Sequence, residues 1–380
     1  MGKLKVTILS LSVATVMAGV AVGPALGVIG KYFSGTDPLL IKFIITLPSL
    51  CIILTSFVFD AVAKRLSSRG IAVTGMVLYI VGGIGAAFAD SIYVLLGFRV
   101  VLGIGVGLIM PLSTGLLGYY FDRSEQSKLM GYSVAMNNLG GVIATVLSGI
   151  LAAIRWQYTF ATYLLGFIVL VLVMLFLPGA ELSRKGKALG MDTLRVIAPY
   201  AGAMFLTMAA FYIVPSSFSM IASAAKLAST SAVGWIMAVQ NFVAFVSGLC
   251  LSRIIRKTGK AVQFLMSGAM TLGFLGLSFT GSMLLTILGL IAVGFSMGTV
   301  VPILNAQIAL RVDRDRITSA MAVMSAMLYL GQFLSPILIG GIQSLLRLQG
   351  IQTPYYIAMA LSGLLCVSFL KIPVSAVKNE

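Results

Sequence analysis

The stretch Arg99-Val-Val-Leu102-Gly103-Ile-Gly105-Val-Gly107-Leu-Ile-Met-Pro111 decides how this 380-residue chain is read. Its pattern, Gly103-x3-Gly107-x3-Pro111, returns 191 residues later as Gly294-x3-Gly298-x3-Pro302. The same offset carries Asp122-Arg123 onto Asp313-Arg314, Met130 onto Met321, Ala135-Met136 onto Ala326-Met327, and Leu139-Gly140 onto Leu330-Gly331. An offset of 192 aligns Lys64-Arg65 with Arg256-Lys257 and Ser67 with Gly259. Small residues four apart form packing faces on many membrane helices, so one such match means little. A series of matches at half the chain length means that one half repeats the other.

Working outward, hydrophobic residues make up 59% of the chain and charged residues only 9%. Soluble domains carry about 25% charged residues, so this inventory cannot cover a water-exposed surface. Apolar runs long enough for a bilayer core, about 20 residues each, number twelve: 6–29, 39–62, 71–89, 93–118, 129–154, 158–177, 196–215, 232–251, 261–280, 283–308, 317–338 and 354–370. The first run follows Lys3 and Lys5 as a signal peptide would, but it is long and eleven more spans follow, so it reads as a span. The expected fold is an all-α membrane protein with twelve transmembrane helices in two six-helix bundles. Residues 1–177 form the first bundle, 178–195 a cytoplasmic linker and 196–380 the second bundle.

The chain has 26 Lys and Arg against 10 Asp and Glu, and no His. With the N-terminus inside, 20 of the 26 bases fall at the inner face, while the outer loops hold only Lys31, Arg155, Lys226 and Arg347. This bias orients a multi-pass protein with both termini in the cytoplasm, and it accounts for the basic excess without nucleic acid. Cys51, Cys250 and Cys366 lie in apolar runs, spaced unlike a metal site. No cofactor or metal is expected. No nucleophile–base pair, metal cluster or paired carboxylates occurs within the spans, so the chain does not read as an enzyme.

Two six-span repeats of like orientation belong to transporters that rock one bundle against the other around a midplane site. The chain resembles the major facilitator superfamily over essentially its whole length. The loop after the second span, Asp60-Ala-Val-Ala-Lys64-Arg65-Leu-Ser67-Ser-Arg69, is similar to that family's Gly-x-Leu-Ala-Asp-Arg-x-Gly-Arg-Lys, with Lys64 in place of Asp and both glycines replaced. Its second copy, Ser252-Arg-Ile-Ile-Arg256-Lys257-Thr-Gly259-Lys260, keeps one glycine. Arg99-Val-Val-Leu102-Gly103 resembles the Arg-x-x-Gln-Gly segment of the drug:proton antiporter (multidrug efflux) group. In the fifth span, Ala144-Thr145-Val-Leu-Ser148-Gly149 lacks the proline of the antiporter signature.

Arg99 lies about 6 residues, or roughly 9 Å, inside its helix, where an arginine is costly unless it meets a cavity or a partner. Two readings stand: a cavity-facing substrate ligand, or a side chain that snorkels to the interface. The resemblance implies that spans one, four, seven and ten line the cavity, which favours the first. Asn137, Asn138, Gln240, Asn241, Asn305 and Gln332 are candidate substrate-binding residues, with helix–helix hydrogen bonding as the alternative for any one of them. Tyr79, Tyr163 and Tyr329 are also mid-span. No Asp or Glu lies in the middle of a span, so a central carboxylate proton site is excluded. Asp60, Lys64, Arg65, Asp122, Arg123, Arg256, Lys257, Asp313 and Arg314 sit at repeated inner-face positions. They form a candidate cytoplasmic gate.

The leading reading is a secondary active transporter of the cytoplasmic membrane, exporting small hydrophobic or amphipathic compounds, as the resemblance to drug efflux members implies. Its partners are a small-molecule substrate and the lipid bilayer, and it is expected to act as a monomer. The alternatives are facilitated transport or exchange of an organic anion using Arg99, and a non-transporting membrane receptor. If the gate pairs in the outward-open state, Asp122→Asn with Asp313→Asn shifts the balance inward. Single-cysteine labelling from each face reads this shift, and unchanged labelling rules the gate out.

Overall fold

The computed structural model describes residues 2–180, 190–313 and 316–371. It is all-helical, with 88% helix and no strands among the described residues. Eleven helices are long and apolar enough to cross a membrane: Gly2–Tyr32, Pro38–Ala63, Ser68–Phe88, Ile92–Leu117, Leu129–Ile154, Trp156–Phe176, Met191–Ala224, Thr230–Leu249, Met283–Arg311, Ile317–Leu345 and Thr353–Leu370. The remaining expected span, ninth in order, is the 17-residue helix Val262–Ser278. It follows the short helix Leu251–Thr258 at an angle of 108°. Among the described residues, eleven spans thus stand where the apolar runs predict them, and a twelfth when this bent pair is counted as one. Side-chain caps start several of them. Asp37, Ser67, Ser91, Asp122 and Ser282 each accept a main-chain N–H from the first turn that follows, satisfying donors that have no partner inside the helix.

The structure departs from uninterrupted helices in three spans. The first breaks after Val20 and resumes through the 3-10 turn Gly23–Ala25, where Pro24 cannot donate. The seventh runs longer than its apolar core, as Met191–Phe211 followed by Ile213–Ala224. The sixth opens as nine residues of 3-10 helix, Trp156–Leu164. At three residues per turn, positions three apart are eclipsed. Trp156, Thr159 and Thr162 therefore share a buried row, Phe160 and Tyr163 lie buried in a second, and Tyr158 and Leu164 are exposed in a third.

The chain divides into two compact units. One holds Met1–Arg184 with Pro215–Ala238, the other Lys185–Val214 with Val239–Glu380. The segment Pro215–Ala238 packs on the first unit by close polar and glycine contacts. Ser219 Oγ donates to Pro24 O at 2.6 Å and accepts from Gly27 N at 3.1 Å. Gly149 and Gly234 meet main chain to main chain, with no room for a Cβ on either.

The sequence repeat reappears as repeated packing within each unit. Gly103 lies on Pro48 and Gly107 on Thr55; in the second unit Gly294 lies on Gln240 and Gly298 on Ser247. Gly82 meets the main chain of Phe98 and Leu102, as Gly273 meets that of Gly289 and Val293. Gly140 rests on Val13, and Gly331 on Phe205. All these pairs correspond at offsets of 191 or 192. A methyl group at Gly103 would stand 2.8 Å from Pro48 Cα, and one at Gly294 3.1 Å from Gln240 Cα. Gly103→Ala and Gly294→Ala are each expected to lower stability by about 1–3 kcal/mol through overpacking. Gly97→Ala and Gly202→Ala, where the added methyl meets nothing within 4 Å, leave it unchanged or raise it. Thermal unfolding in detergent separates the two pairs.

Candidate functional site

The fourth span carries Arg99 into the interior of the first unit, where it is 0% exposed. Its three nitrogens are all engaged. Nε donates to Ile44 O at 2.9 Å, Nη1 to Tyr163 Oη at 2.9 Å and Nη2 to Ala18 O at 2.7 Å. The guanidinium also stands 5.2 Å from the Tyr163 ring centroid, where the face of the ring attracts a cation.

These acceptors are available for a local reason. In an unbroken helix Ile44 O would receive the N–H of residue 48, but that residue is Pro48 and has none. Ala18 O lies where the first span breaks ahead of Gly23 and Pro24. A buried carbonyl left without a donor costs about 1–3 kcal/mol, and the arginine fork supplies donors to both at once. Tyr163 braces the fork and itself donates to Ala18 O at 3.3 Å. An aromatic file runs outward from it, through Phe160 at 6.4 Å to Trp156 and then Tyr32 and Phe33. Tyr79 meets Tyr163 edge-on at 5.5 Å.

The second unit does without this arrangement. Position 290, the repeat equivalent of Arg99, is a fully buried leucine, and position 240, the equivalent of Pro48, is glutamine. Proline and arginine occur together in one half and are both missing from the other.

The candidate amides are dispersed. Asn137 is half-buried and lies 3.4 Å from Thr15 Oγ1, while Asn138 bonds back to Val134 O at 3.2 Å. In the second unit Gln240 is buried, Asn241, Asn305 and Gln332 are half-buried, and Gln332 Nε2 approaches Met208 Sδ at 3.8 Å. Of the candidate gate, Asp60, Lys64, Arg65, Asp122, Arg256, Lys257 and Asp313 are exposed. Asp122 has a structural role as well, capping the fifth span through Glu125 N at 2.9 Å. The Arg123 side chain and Arg314 lie outside the described residues.

Sequence reading missed two groups. Lys5 pairs with Glu125 and stands 5.6 Å from the Phe121 ring centroid. Arg311 bonds to Gln307 and lies 5.0 Å from the Tyr200 ring centroid. The four-residue spacing of Gln307 and Arg311 was the available signal for the second.

If the fork exists to satisfy the freed carbonyls, Arg99→Leu should lower stability by about 2–4 kcal/mol. Arg99→Lys recovers little, since an ammonium cannot span both oxygens. Arg99→Leu with Pro48→Gln, the pair found at 290 and 240, recovers at least about 1 kcal/mol. Thermal unfolding of these proteins together with Pro48→Gln alone measures the coupling, and strictly additive losses refute it.

A family model described as the Major Facilitator Superfamily matches residues 8–336, and again 200–380. The arabinose-proton symporter of Escherichia coli (strain K12) is 27% identical over 189 residues, 46% of this chain and 39% of the symporter. The MFS-type efflux pump MMF1 of Pseudozyma antarctica (strain T-34) is 31% identical over 121 residues, 32% of this chain and 22% of the pump. Less than half the length of either curated relative is matched. Among solved structures, the nucleoside transporter NupG superposes with a TM-score of 0.77 at 16% identity, covering 97% of this chain and 98% of its own.

Proposed function

We propose that this chain, which belongs to the Major Facilitator Superfamily, exports small apolar or amphipathic solutes across the cytoplasmic membrane by alternating access. It is a multi-pass membrane transporter and not an enzyme. The observation that carries the cargo class is the sequestered Arg99. The charge deepest in a span has all three nitrogens committed to the protein and no exposed surface. No acid lies in the middle of a span, so the interior offers a solute neutral amides, methionines and aromatic rings. Flexible thioethers suit cargo of varied shape. Similarity to an efflux pump supports the outward direction.

The organic-anion reading depended on Arg99 meeting the cargo, and the fork removes that support. A second reading keeps a specific basis. Half-buried Asn137, Asn241, Asn305 and Gln332 are suited to hydrogen-bond an uncharged polar solute, and one relative is named for transporting arabinose. In either case the amides line the pathway, and the exposed charges at Asp60, Lys64, Arg65, Asp122, Arg256, Lys257 and Asp313 act as the inner gate.

Proteoliposomes loaded in turn with an uncharged lipophilic dye, an organic anion and a labelled pentose distinguish these readings, with and without an imposed proton gradient. Loss of the dye, with the anion retained, is the expected result. Movement of the pentose alone selects the second reading. Anion exchange that Arg99→Gln abolishes while the protein stays folded reverses the assignment of Arg99.

A further inference from the structure

The two halves differ sharply after their second helices. In the first, Pro38–Ala63 is followed by a tight turn in which Ser67, extended at φ −65°, caps Ser68–Gly85 through Gly70 N. In the second, the equivalent of Ser67 is Gly259, with φ 56° and ψ −133°. This is a left-handed conformation that an L side chain resists. It ends the short helix Leu251–Thr258, which follows Thr230–Leu249 after a one-residue interruption at Cys250 and stands 108° from Val262–Ser278, within 20° of perpendicular to that span.

The short helix is strongly two-sided. Leu251, Ile254 and Ile255 pack on the core of the second unit. Arg253, Arg256 and Lys257 are exposed, and the helix has no acid. Spacings of three and four residues place the three cations on one face, where like charges repel and destabilise the helix unless an anion lies between them. The apolar face is thus held by the protein, and the basic face is left exposed at the end of a membrane span, the level at which headgroups lie.

We propose that Arg253, Arg256 and Lys257 form a binding site for the phosphate headgroup of an anionic phospholipid in the leaflet at that end of the bundle. Charge complementarity and the lie of the helix choose the lipid over a soluble anion. Phosphate oxygens accept from a guanidinium fork in pairs, and a headgroup plane presents them beside the helix at high local concentration. The first half builds no such site, because Lys64 and Arg65 lie in a turn with no equivalent independent helix. This assignment does not depend on the cargo or the direction of transport, and it shares Arg256 and Lys257 with the proposed inner gate, so the lipid engages them when the gate is unpaired.

The full chain in detergent, titrated with phosphatidylglycerol and with phosphatidylcholine and followed by native mass spectrometry, tests the site. Phosphatidylglycerol should be retained selectively. The triple variant R253Q/R256Q/K257Q should lose about fivefold in affinity for each charge removed, and K64Q/R65Q much less. Gly259→Ser keeps every cation but strains the turn, so it should lose retention to a comparable degree while thermal unfolding in phosphatidylcholine reports whether the fold survives. Equal phosphatidylglycerol retention by the wild type and the triple variant overturns the site. Inorganic phosphate competing as well as the lipid overturns the lipid assignment.

Discussion

Every main-chain carbonyl inside a bilayer must find a donor within the protein, because there is no water to supply one. That constraint explains the interior of the first unit. Pro48 and the break ahead of Gly23 each leave an oxygen without its helical partner, and Arg99 answers both. The guanidinium forms a donor fork, held from the side by Tyr163. The first span can then break ahead of Gly23, and the second can carry Pro48 within its helix, without exposing bare peptide. Any conformational change that parts Arg99 from either carbonyl has to find a substitute donor.

The architecture was legible because it rests on signals that add up along the chain: apolar length and small residues recurring at one offset. Gly103 and Gly294 could be paired from sequence before their contacts with Pro48 and Gln240 were visible. The role of Arg99 was not legible in the same way. Both the cavity and the snorkel readings treated it as a lone charge on its own helix, whereas its partners lie 55 and 81 positions away in the chain. Pro48 was the neglected signal, since a mid-span proline always frees the carbonyl four residues before it. The 3-10 start of the sixth span and the packing of Pro215–Ala238 on the first unit have no comparable mark, because each depends on contacts with distant segments.

Comparing the two repeats shows what duplication preserved and what it released. Backbone-to-backbone contacts at glycine survive in both copies, since a side chain in either would force the helices apart. Functions carried by individual side chains diverged freely. The first copy carries the Pro48–Arg99 pair; the second carries Gly259 and a short two-sided helix bent 108° from Val262–Ser278. The units share a scaffold and differ in their fittings.

The opening of the sixth span has a geometric consequence. Nine residues of 3-10 helix rise about 18 Å, against about 13.5 Å for the same residues in an α-helix. Each residue also turns about 20° further. If Trp156–Leu164 relaxed to the α form, the span would draw in by about 4.5 Å and rotate through about half a turn. Tyr158 and Leu164 would leave the exposed row, and the buried hydroxyls of Thr159 and Thr162 would leave theirs. The wall beside Arg99 is therefore wound like a screw, with its pitch and its facing tied together.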